Sequence, residues 1–296
     1  MKRAILVLGA QRSGTSVTSH VLSELGVQFG DRDRFIKFDH NPIFFELKWV
    51  NDLNNRMVKA IGQQQYIDFF LPLEADFLTP EVLPQIQAIE LEIDRKIEQE
   101  FEQEFGQKLE QEFEQEWRDR NINPTSVQEL IIGIKDPRIS LTFPVWERVL
   151  LARGYSIQII HAFRSPAGFL RSNQKLFFQW EGWTIDRHLH FWLQLNLSSI
   201  YFTRRYPVHL LNYDLLMQFP FKEISQLVSA LSLNSFLANQ AAAVVKTDHH
   251  HHGDSLESLE TSISWVNEIY LKLCDRTVSH NDYLNYRQEM LSVLAV

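Results

Sequence analysis

The chain has 296 residues, of which 45% are hydrophobic, so it is long enough to bury a sizeable core as one domain. Its net charge of -8 and its pI near 5.8 argue against a nucleic-acid-binding surface, which would be basic. No stretch has the run of apolar residues that a transmembrane helix needs, and the single cysteine, Cys274, cannot form an internal disulfide; both features predict a cytoplasmic protein with no membrane span.

The first predicted element is a strand that ends in a glycine-containing turn. The apolar run 4–8 leads to Gly9, and a helical pattern begins at 13–16, with apolar positions at Val17, Val21, Leu22 and Leu25. A loop between a strand and a helix directs backbone N–H groups and the positive end of the helix dipole to one place. This loop is therefore a candidate anion site.

The spacing of the loop is that of a P-loop, with one departure. Thr15 stands where the lysine of a P-loop follows the second glycine, which argues against a nucleoside triphosphate as the ligand. Arg12 is the cation available instead, and its planar guanidinium can bind two oxygens of a phosphate or sulfate. The alternative is an ordinary turn between a strand and a helix.

The sequence GAQRSGTS at 9–16 resembles the 5′-phosphosulfate-binding loop of sulfotransferases that use 3′-phosphoadenosine 5′-phosphosulfate (PAPS), in the bacterial form in which arginine replaces lysine. Segments described below extend the resemblance along the chain. It implies that the 5′-phosphosulfate is bound by the loop residues Gln11, Arg12, Ser13, Gly14, Thr15 and Ser16.

A short strand at 26–30 and a helix that begins near Asn41 and Pro42 are predicted next. The strand would close a βαβ unit with parallel strands. Glu46 falls in the first turn of the predicted helix, between Phe45 and Leu47. An apolar setting raises the pKa of a carboxyl group, which suits a general base near neutral pH. The alternative is a carboxylate that stabilises the helix dipole.

The stretch NPIFFE at 41–46 is similar to the Asn-Pro-x-x-Phe/Tyr-Phe/Trp-Glu pattern of bacterial sulfotransferases. This resemblance favours a functional role for Glu46 over the structural one. His40, just upstream, is the second candidate base.

From about 62 to 128 the composition shifts to Gln, Glu and Phe, which predicts a helical insertion within a single domain. Apolar residues recur there every four positions: Ile93, Ile97, Phe101, Phe105, Leu109, Phe113 and Trp117. On an α-helix such a row drifts about 40° per step, so a straight helix cannot bury all of it against one flat partner. We expect the helix to bend, to cross several elements or to break near Gly106. Packing on the body is favoured over a lid or an acceptor-binding arm.

A buried strand is predicted at 130–134, ending at Lys135, Asp136, Pro137 and Arg138. Ligands of open α/β sheets bind beyond the carboxyl ends of strands, so these residues are site candidates. KDPR resembles a motif of bacterial sulfotransferases, which implies a catalytic role for Lys135, whereas Pro137 stands where the cytosolic enzymes have a catalytic histidine. The alternative is a surface ion pair of Lys135 or Arg138 with Asp136.

The next strand, at 156–162, leads to Arg164 and to a helix that extends through 177. Arg164 would lie at the strand end and Ser172 about two turns into the helix, a geometry that brings a guanidinium and a hydroxyl to one phosphate. The same Arg-x-Pro-x5-Ser spacing is characteristic of the 3′-phosphate-binding segment of sulfotransferases.

The remaining elements are assigned structural roles. A helix at 186–205 and a strand at 208–211 precede Tyr213 and Asp214, which resemble a family segment that closes the core sheet. A final helix pair after Ser255 is expected to cover the body, and Cys274 is interpreted as a small buried side chain. The four histidines at 249–252 are interpreted as a mobile loop near the cofactor rather than a metal site.

These observations predict an α/β, P-loop-like three-layer fold with a central parallel sheet and a helical insertion. The resemblance implies transfer of a sulfuryl group from PAPS to a hydroxyl or amine, with adenosine 3′,5′-bisphosphate as product and no metal. Arg12 would hold the 5′-phosphosulfate, Arg164 and Ser172 the 3′-phosphate, Lys135 the transferring group, and Glu46 would be the base.

Two alternatives stay open: a P-loop kinase or nucleotide hydrolase, and a non-catalytic nucleotide-binding protein that interacts with a partner. The acceptor is expected to be a small molecule, a carbohydrate or a lipid. That range rests on the aromatic residues Phe177, Phe178, Trp180 and Trp183. The sequence indicates neither the acceptor's identity nor the oligomeric state.

Overall fold

Four parallel strands form the centre of the molecule. They are β1 (Lys2–Leu8), β2 (Leu130–Lys135), β3 (Tyr155–Phe163) and β4 (Val208–Asn212), in the order β2-β1-β3-β4. The structure is a computed structural model, and it describes residues 2–37, 44–63, 69–103, 105–106, 129–176, 183–245 and 261–294. The register pairs Val7 with Lys135, and Phe163 with Asn212, so all four carboxyl ends lie at one edge.

Every residue from Ala4 to Leu8 in the central strand β1 is fully buried, because helices cover both faces of the sheet. In chain order the described helices are α1 (Thr15–Glu24), α2 (Lys48–Ala60), α3 (Leu83–Ile97), α4 (Ile139–Ala152), α5 (Pro166–Leu176), α6 (Ile185–Phe202), α7 (Tyr213–Gln218), α8 (Pro220–Leu231), α9 (Ala238–Ala243), α10 (Ser264–Cys274) and α11 (His280–Leu294). The predicted α/β fold with a central parallel sheet is confirmed. Among the described helices, none combines the length and the hydropathy that crossing a bilayer requires.

Two of the predicted elements differ from the structure. Within the residues that the structure describes, the strand expected at 26–30 makes only one bridge, in which Gln28 pairs in parallel with Ile132. The chain then leaves the sheet and enters a 3-10 turn at Arg32–Arg34.

The helix expected from Asn41 and Pro42 begins instead at Lys48. Phe45 has a left-handed φ of 56°. Leu47 is extended and forms an antiparallel β-bridge with Phe35. Glu46 therefore lies in a non-helical segment before α2, and its predicted place in the first helical turn is wrong. The cause is the pairing with the 35–36 segment, which holds the backbone out of the helical conformation.

The described part of the Gln/Glu/Phe-rich region contains α3 followed by a π-helical turn at Glu98–Glu102. Ile93, Ile97 and Phe101 are all buried. A π turn bonds i to i+5 instead of i to i+4, so it offsets the drift that a four-residue spacing would otherwise accumulate. The helix thus adapts by local unwinding. Positions 104 and 107–128 lie outside the described residues, and the full extent of the insertion stays a prediction.

The predicted final helix pair corresponds to α10 and α11. Cys274 is exposed, so its interpretation as a buried side chain is wrong. It is the last residue of α10, where the chain turns at Asp275 and the packing face of the helix ends. The four histidines at 249–252 lie outside the described residues.

Candidate active site

The loop between β1 and α1 lies at the sheet edge where the strands end. A Cβ atom at Gly9 would stand 2.0 Å from the carbonyl oxygen of Ala162 on β3, so no other residue fits there. The Gly9 N–H donates to the Ser140 hydroxyl at the start of α4, at 3.2 Å. The loop is therefore fixed against both neighbouring elements.

The second glycine of the loop, Gly14, precedes α1 and has a φ of 91°. A Cβ atom there would lie 2.4 Å from the Tyr213 ring. Arg12 also has a positive φ, of 65°, which is uncommon for a residue with a side chain and concentrates at ligand-binding sites. This backbone arrangement carries the Arg12 side chain toward α5.

Three of the predicted phosphate ligands meet at this place. The Arg12 Nε donates to the Ser172 hydroxyl at 2.9 Å. Burial, and then the positive charge of Arg164, lower the pKa of the Arg12 guanidinium. Two cations that repel each other in a buried setting form a site that a polyanion would stabilise.

Arg164 is held from two sides by residues that follow β4. Its guanidinium carbon lies 4.5 Å above the Tyr213 ring, and its Nε lies 3.7 Å from the Asp214 carboxylate. Asp214 also accepts a hydrogen bond from the Ser165 N–H at 3.1 Å. Tyr213 and Asp214, predicted to close the sheet, thus orient a site residue as well.

The loop contains buried polar side chains without a hydrogen-bond partner among the described residues. Gln11 is 9% exposed and Ser13 is fully buried. The Gln11 amide atoms and the Ser13 hydroxyl have no hydrogen-bond partner within the described part of the chain. Unpaired buried polar atoms cost free energy, and the oxygens of a bound phosphate or sulfate would satisfy the donors among them. The loop therefore fits an oxyanion such as a phosphate or a sulfate.

A second cluster lies at the carboxyl end of β2. Lys135 is 3% exposed and Glu46 is 8% exposed, and the Lys135 ammonium donates to the Glu46 carboxylate. The ammonium also donates to the Phe44 carbonyl at 3.1 Å and to the Ser16 hydroxyl at 3.4 Å. Because Ser16 belongs to the first turn of α1, this cluster adjoins the anion-binding loop.

Burial raises the pKa of Glu46, and it outweighs the opposing effect of the Lys135 ammonium; the nearby Asp136 carboxylate raises it further. A proton acceptor of increased basicity thus touches a cation beside an anion site. Such a pair can take a proton from one atom while stabilising negative charge on its neighbour.

Asp136 and Arg138 form an ion pair, as one of the alternatives for KDPR proposed, but it is buried rather than on the surface. The Arg138 guanidinium donates to both carboxylate oxygens of Asp136, at 3.1 and 3.0 Å, and Asp136 is fully buried. Arg138 donates further to Asn55 on α2 at 2.9 Å. The pair fixes the turn after β2, and Lys135 takes Glu46 as its partner instead.

No protein-family model and no curated protein matches the chain. A solved structure is similar to it. This is the sulfotransferase domain from the Synechococcus PCC 7002 olefin synthase, with 13% sequence identity and a TM-score of 0.44 over 93% of this chain and 94% of that chain. Roles for the residues of this chain have to come from their own geometry.

The remaining predicted site residues are Thr15, His40 and the four aromatic residues on which the acceptor prediction rests. Thr15 is the first residue of α1 and is buried. His40, Phe177, Phe178 and Trp180 lie outside the described residues. Trp183 stacks on the Arg187 guanidinium at 4.2 Å, at the start of α6. The choice between Glu46 and His40 as base, and the class of acceptor, therefore stay predictions.

Tyr213 and Asp214 are the site residues that sequence reasoning missed, and a signal for them was present. Both follow directly after β4, at the same sheet edge that singled out Lys135 and Arg164. Applying the strand-end rule to the fourth strand would have brought them into the candidate set.

Proposed function

We propose that this protein is a sulfotransferase that moves a sulfuryl group from PAPS to an acceptor hydroxyl or amine. The observation that carries the proposal is the convergence of two guanidinium groups, from the β1–α1 loop and the end of β3, next to a buried lysine–carboxylate pair. The hydrogen bond between Arg12 and Ser172 and the contact of Lys135 with Ser16 connect these parts. Two phosphate sites and a base at one sheet edge match a donor with phosphates at both ends of its ribose.

The proposed binding roles follow from this arrangement. The loop N–H groups, Arg12 and the unpaired Ser13 hydroxyl would bind the 5′-phosphosulfate at the N-terminus of α1. Arg164, supported by Tyr213 and Asp214, would bind the 3′-phosphate together with Ser172. Binding would separate the Arg12 and Ser172 side chains and place an anion between the two cations.

The proposed chemistry uses Lys135 and Glu46. PAPS supplies the sulfuryl group, whose bond to the 5′-phosphate oxygen breaks as the acceptor oxygen or nitrogen bonds to sulfur. Glu46 would take the proton from the acceptor, and Lys135 would stabilise negative charge on the transferring group and on the departing bisphosphate. Fixed cations would do what Mg²⁺ does in kinases, so the scheme needs no metal.

The arrangement favours a sulfotransferase over a P-loop kinase or nucleotide hydrolase. Thr15 occupies the position of the kinase lysine, and Asp136, the acidic residue at the end of β2, is already bound by the Arg138 guanidinium. An aspartate paired in this way is a poor ligand for Mg²⁺, because the cation would have to displace a buried partner.

The test is a transfer assay with sulfur-labelled PAPS and a panel of sugars, lipids, aromatic alcohols and amines. We expect labelled product and equimolar bisphosphate from the wild type. The rate of Glu46→Gln should be lower by a factor of about 100 or more. Glu81→Gln, at an exposed position just before α3, is the matched control and should keep the wild-type rate. Phosphoryl transfer from Mg²⁺-ATP in place of sulfuryl transfer would make the kinase the correct assignment.

A further inference from the structure

Glu100 is a buried carboxylate in the π turn that follows α3, and it is 3% exposed. It accepts a hydrogen bond from the Asp31 N–H at 3.0 Å, and the Arg34 guanidinium donates to its other oxygen at 2.7 Å. A Cβ atom at Gly30 would lie 2.7 Å from the Glu100 carboxylate. Glu100 thus fixes the turn at 30–34 against the end of α3.

The Glu100 carboxylate lies on the buried face of this helical region. Ile97, directly before the π turn, and Phe101, within it, are both buried, so the turn is anchored in the core. Glu100 stands three residues after Ile97 and directly before Phe101, so it lies on the helix face that these two residues bury. π turns inside α-helices are frequent at functional sites.

The turn at 30–34 is connected directly to the segment that carries Glu46. Phe35 bridges Leu47, and the Ile36 N–H donates to the Glu46 carbonyl at 2.8 Å. The rings of Phe35 and Phe45 lie 5.3 Å apart. The residues on both sides of Glu46 are therefore held by the 35–36 segment, which follows directly on the turn that Glu100 fixes.

Phe45 shows why this support is needed. Its φ of 56° is unfavourable for a residue with a bulky side chain, and such a conformation persists only where the surroundings enforce it. The Phe29 ring, 5.3 Å from the Phe45 ring, gives a second contact on the same side. Loss of the 30–36 support would let the 44–47 segment relax and move the Glu46 carboxylate away from Lys135.

We propose that Glu100 is a positioning residue. By fixing the turn at 30–34, and through it the 35–36 segment, the π turn after α3 holds the base Glu46 next to Lys135. Glu100 touches neither Lys135 nor the loop residues that would bind the donor, so it acts through Glu46 alone. This inference rests on the proposed function, since it assigns a support to the base of that reaction.

The test compares Glu100→Ala with Glu98→Ala, in the same π turn, whose side chain is 52% exposed and does not touch the 30–34 turn. We expect Glu100→Ala to lower kcat by about 10-fold to 100-fold with the KM for PAPS unchanged, because the base moves while the anion site does not. Glu100→Gln keeps an oxygen that accepts from Asp31 and should recover most of the wild-type kcat. Arg34→Gln removes the guanidinium that donates to the Glu100 carboxylate, and it should also lower kcat.

Amide hydrogen exchange provides a readout that needs no reaction. Exchange in 31–36 and 44–47 should rise in Glu100→Ala and stay at the wild-type level in Glu98→Ala, with β2 protected in both. An unchanged kcat, or unchanged exchange in 44–47, overturns the positioning role of Glu100. A wild type that transfers no sulfuryl group would contradict the proposed function, and the exchange data would still decide whether Glu100 fixes the Glu46 segment.

Discussion

Glu46 and Lys135 place opposite charges in contact where almost no solvent reaches them. Burial disfavours the carboxylate and the ammonium favours it, and burial is the larger influence, so the pKa of Glu46 lies above its ordinary value of 4.5. A base of this kind is more effective near neutral pH than an exposed glutamate. The protonation state of Glu46 should therefore control the rate of the proposed sulfuryl transfer.

The pH dependence of kcat/KM tests that expectation. A base acts only when it is deprotonated, so the rate should fall as the pH drops through the pKa of Glu46, at a pH above the 4.5 of an ordinary glutamate. The acid limb should disappear in Glu46→Gln and remain in His40→Ala. An acid limb that persists in Glu46→Gln and disappears in His40→Ala would make His40 the base.

At the scale of elements, ionic contacts attach the region around α3 to the strands. Glu102, in the π turn, accepts hydrogen bonds from Arg153, Tyr155 and Lys2. Burial works to raise the pKa of Glu102, but these hydrogen bonds, with that of Arg153 the largest, lower it to about 2. A single carboxylate thus connects the π turn to β1, to β3 and to the turn after α4.

Acid titration of stability tests the Glu102 contacts. The folded pKa of Glu102, about 2, lies below the ordinary value of 4.5, so its stabilisation is complete above pH 4.5 and is lost as the pH falls toward 2. Urea unfolding should show Glu102→Gln less stable than the wild type by about 2 kcal/mol at pH 7, allowing for solvent screening. The difference should shrink steadily on acidification.

Glu98→Gln is the control for this titration, since the Glu98 side chain is 52% exposed and lies 3.9 Å from Arg153. It should change stability little at any pH. A loss in Glu102→Gln that is the same at pH 7 and at low pH would show that packing, not charge, connects the turn to the strands.

For the whole molecule, the parallel sheet brings together residues that are far apart in sequence. Four strand ends at one edge place the loop at 9–14, Lys135, Arg164 and Tyr213 around one space. These placements could be predicted from the sequence, because a buried apolar run followed by polar residues identifies a strand end, and parallel strands end on one side.

What the sequence did not reveal depends on contacts between distant segments. The non-helical conformation at Glu46 is imposed by pairing with Phe35 and Ile36, whereas the local pattern after Pro42 favours a helix. The π turn and the inward position of Glu100 likewise follow from core packing around Phe101, which no local propensity reports. The ion-pair partners of Lys135 and Arg138 could not be predicted for the same reason, because the sequence does not show which carboxylate lies next to each cation.

The central claim is that this sheet edge binds a nucleotide with phosphates at both the 3′ and the 5′ positions. Calorimetric titration with adenosine 3′,5′-bisphosphate, beside Mg²⁺-ATP, measures this directly on the wild type, on Arg164→Ala and on Arg95→Ala, an exposed control on α3. We predict that the bisphosphate binds the wild type and the control equally and Arg164→Ala about 10-fold to 100-fold more weakly, with no binding of ATP. Binding of ATP without the bisphosphate, or equal affinities in all three proteins, would contradict the claim.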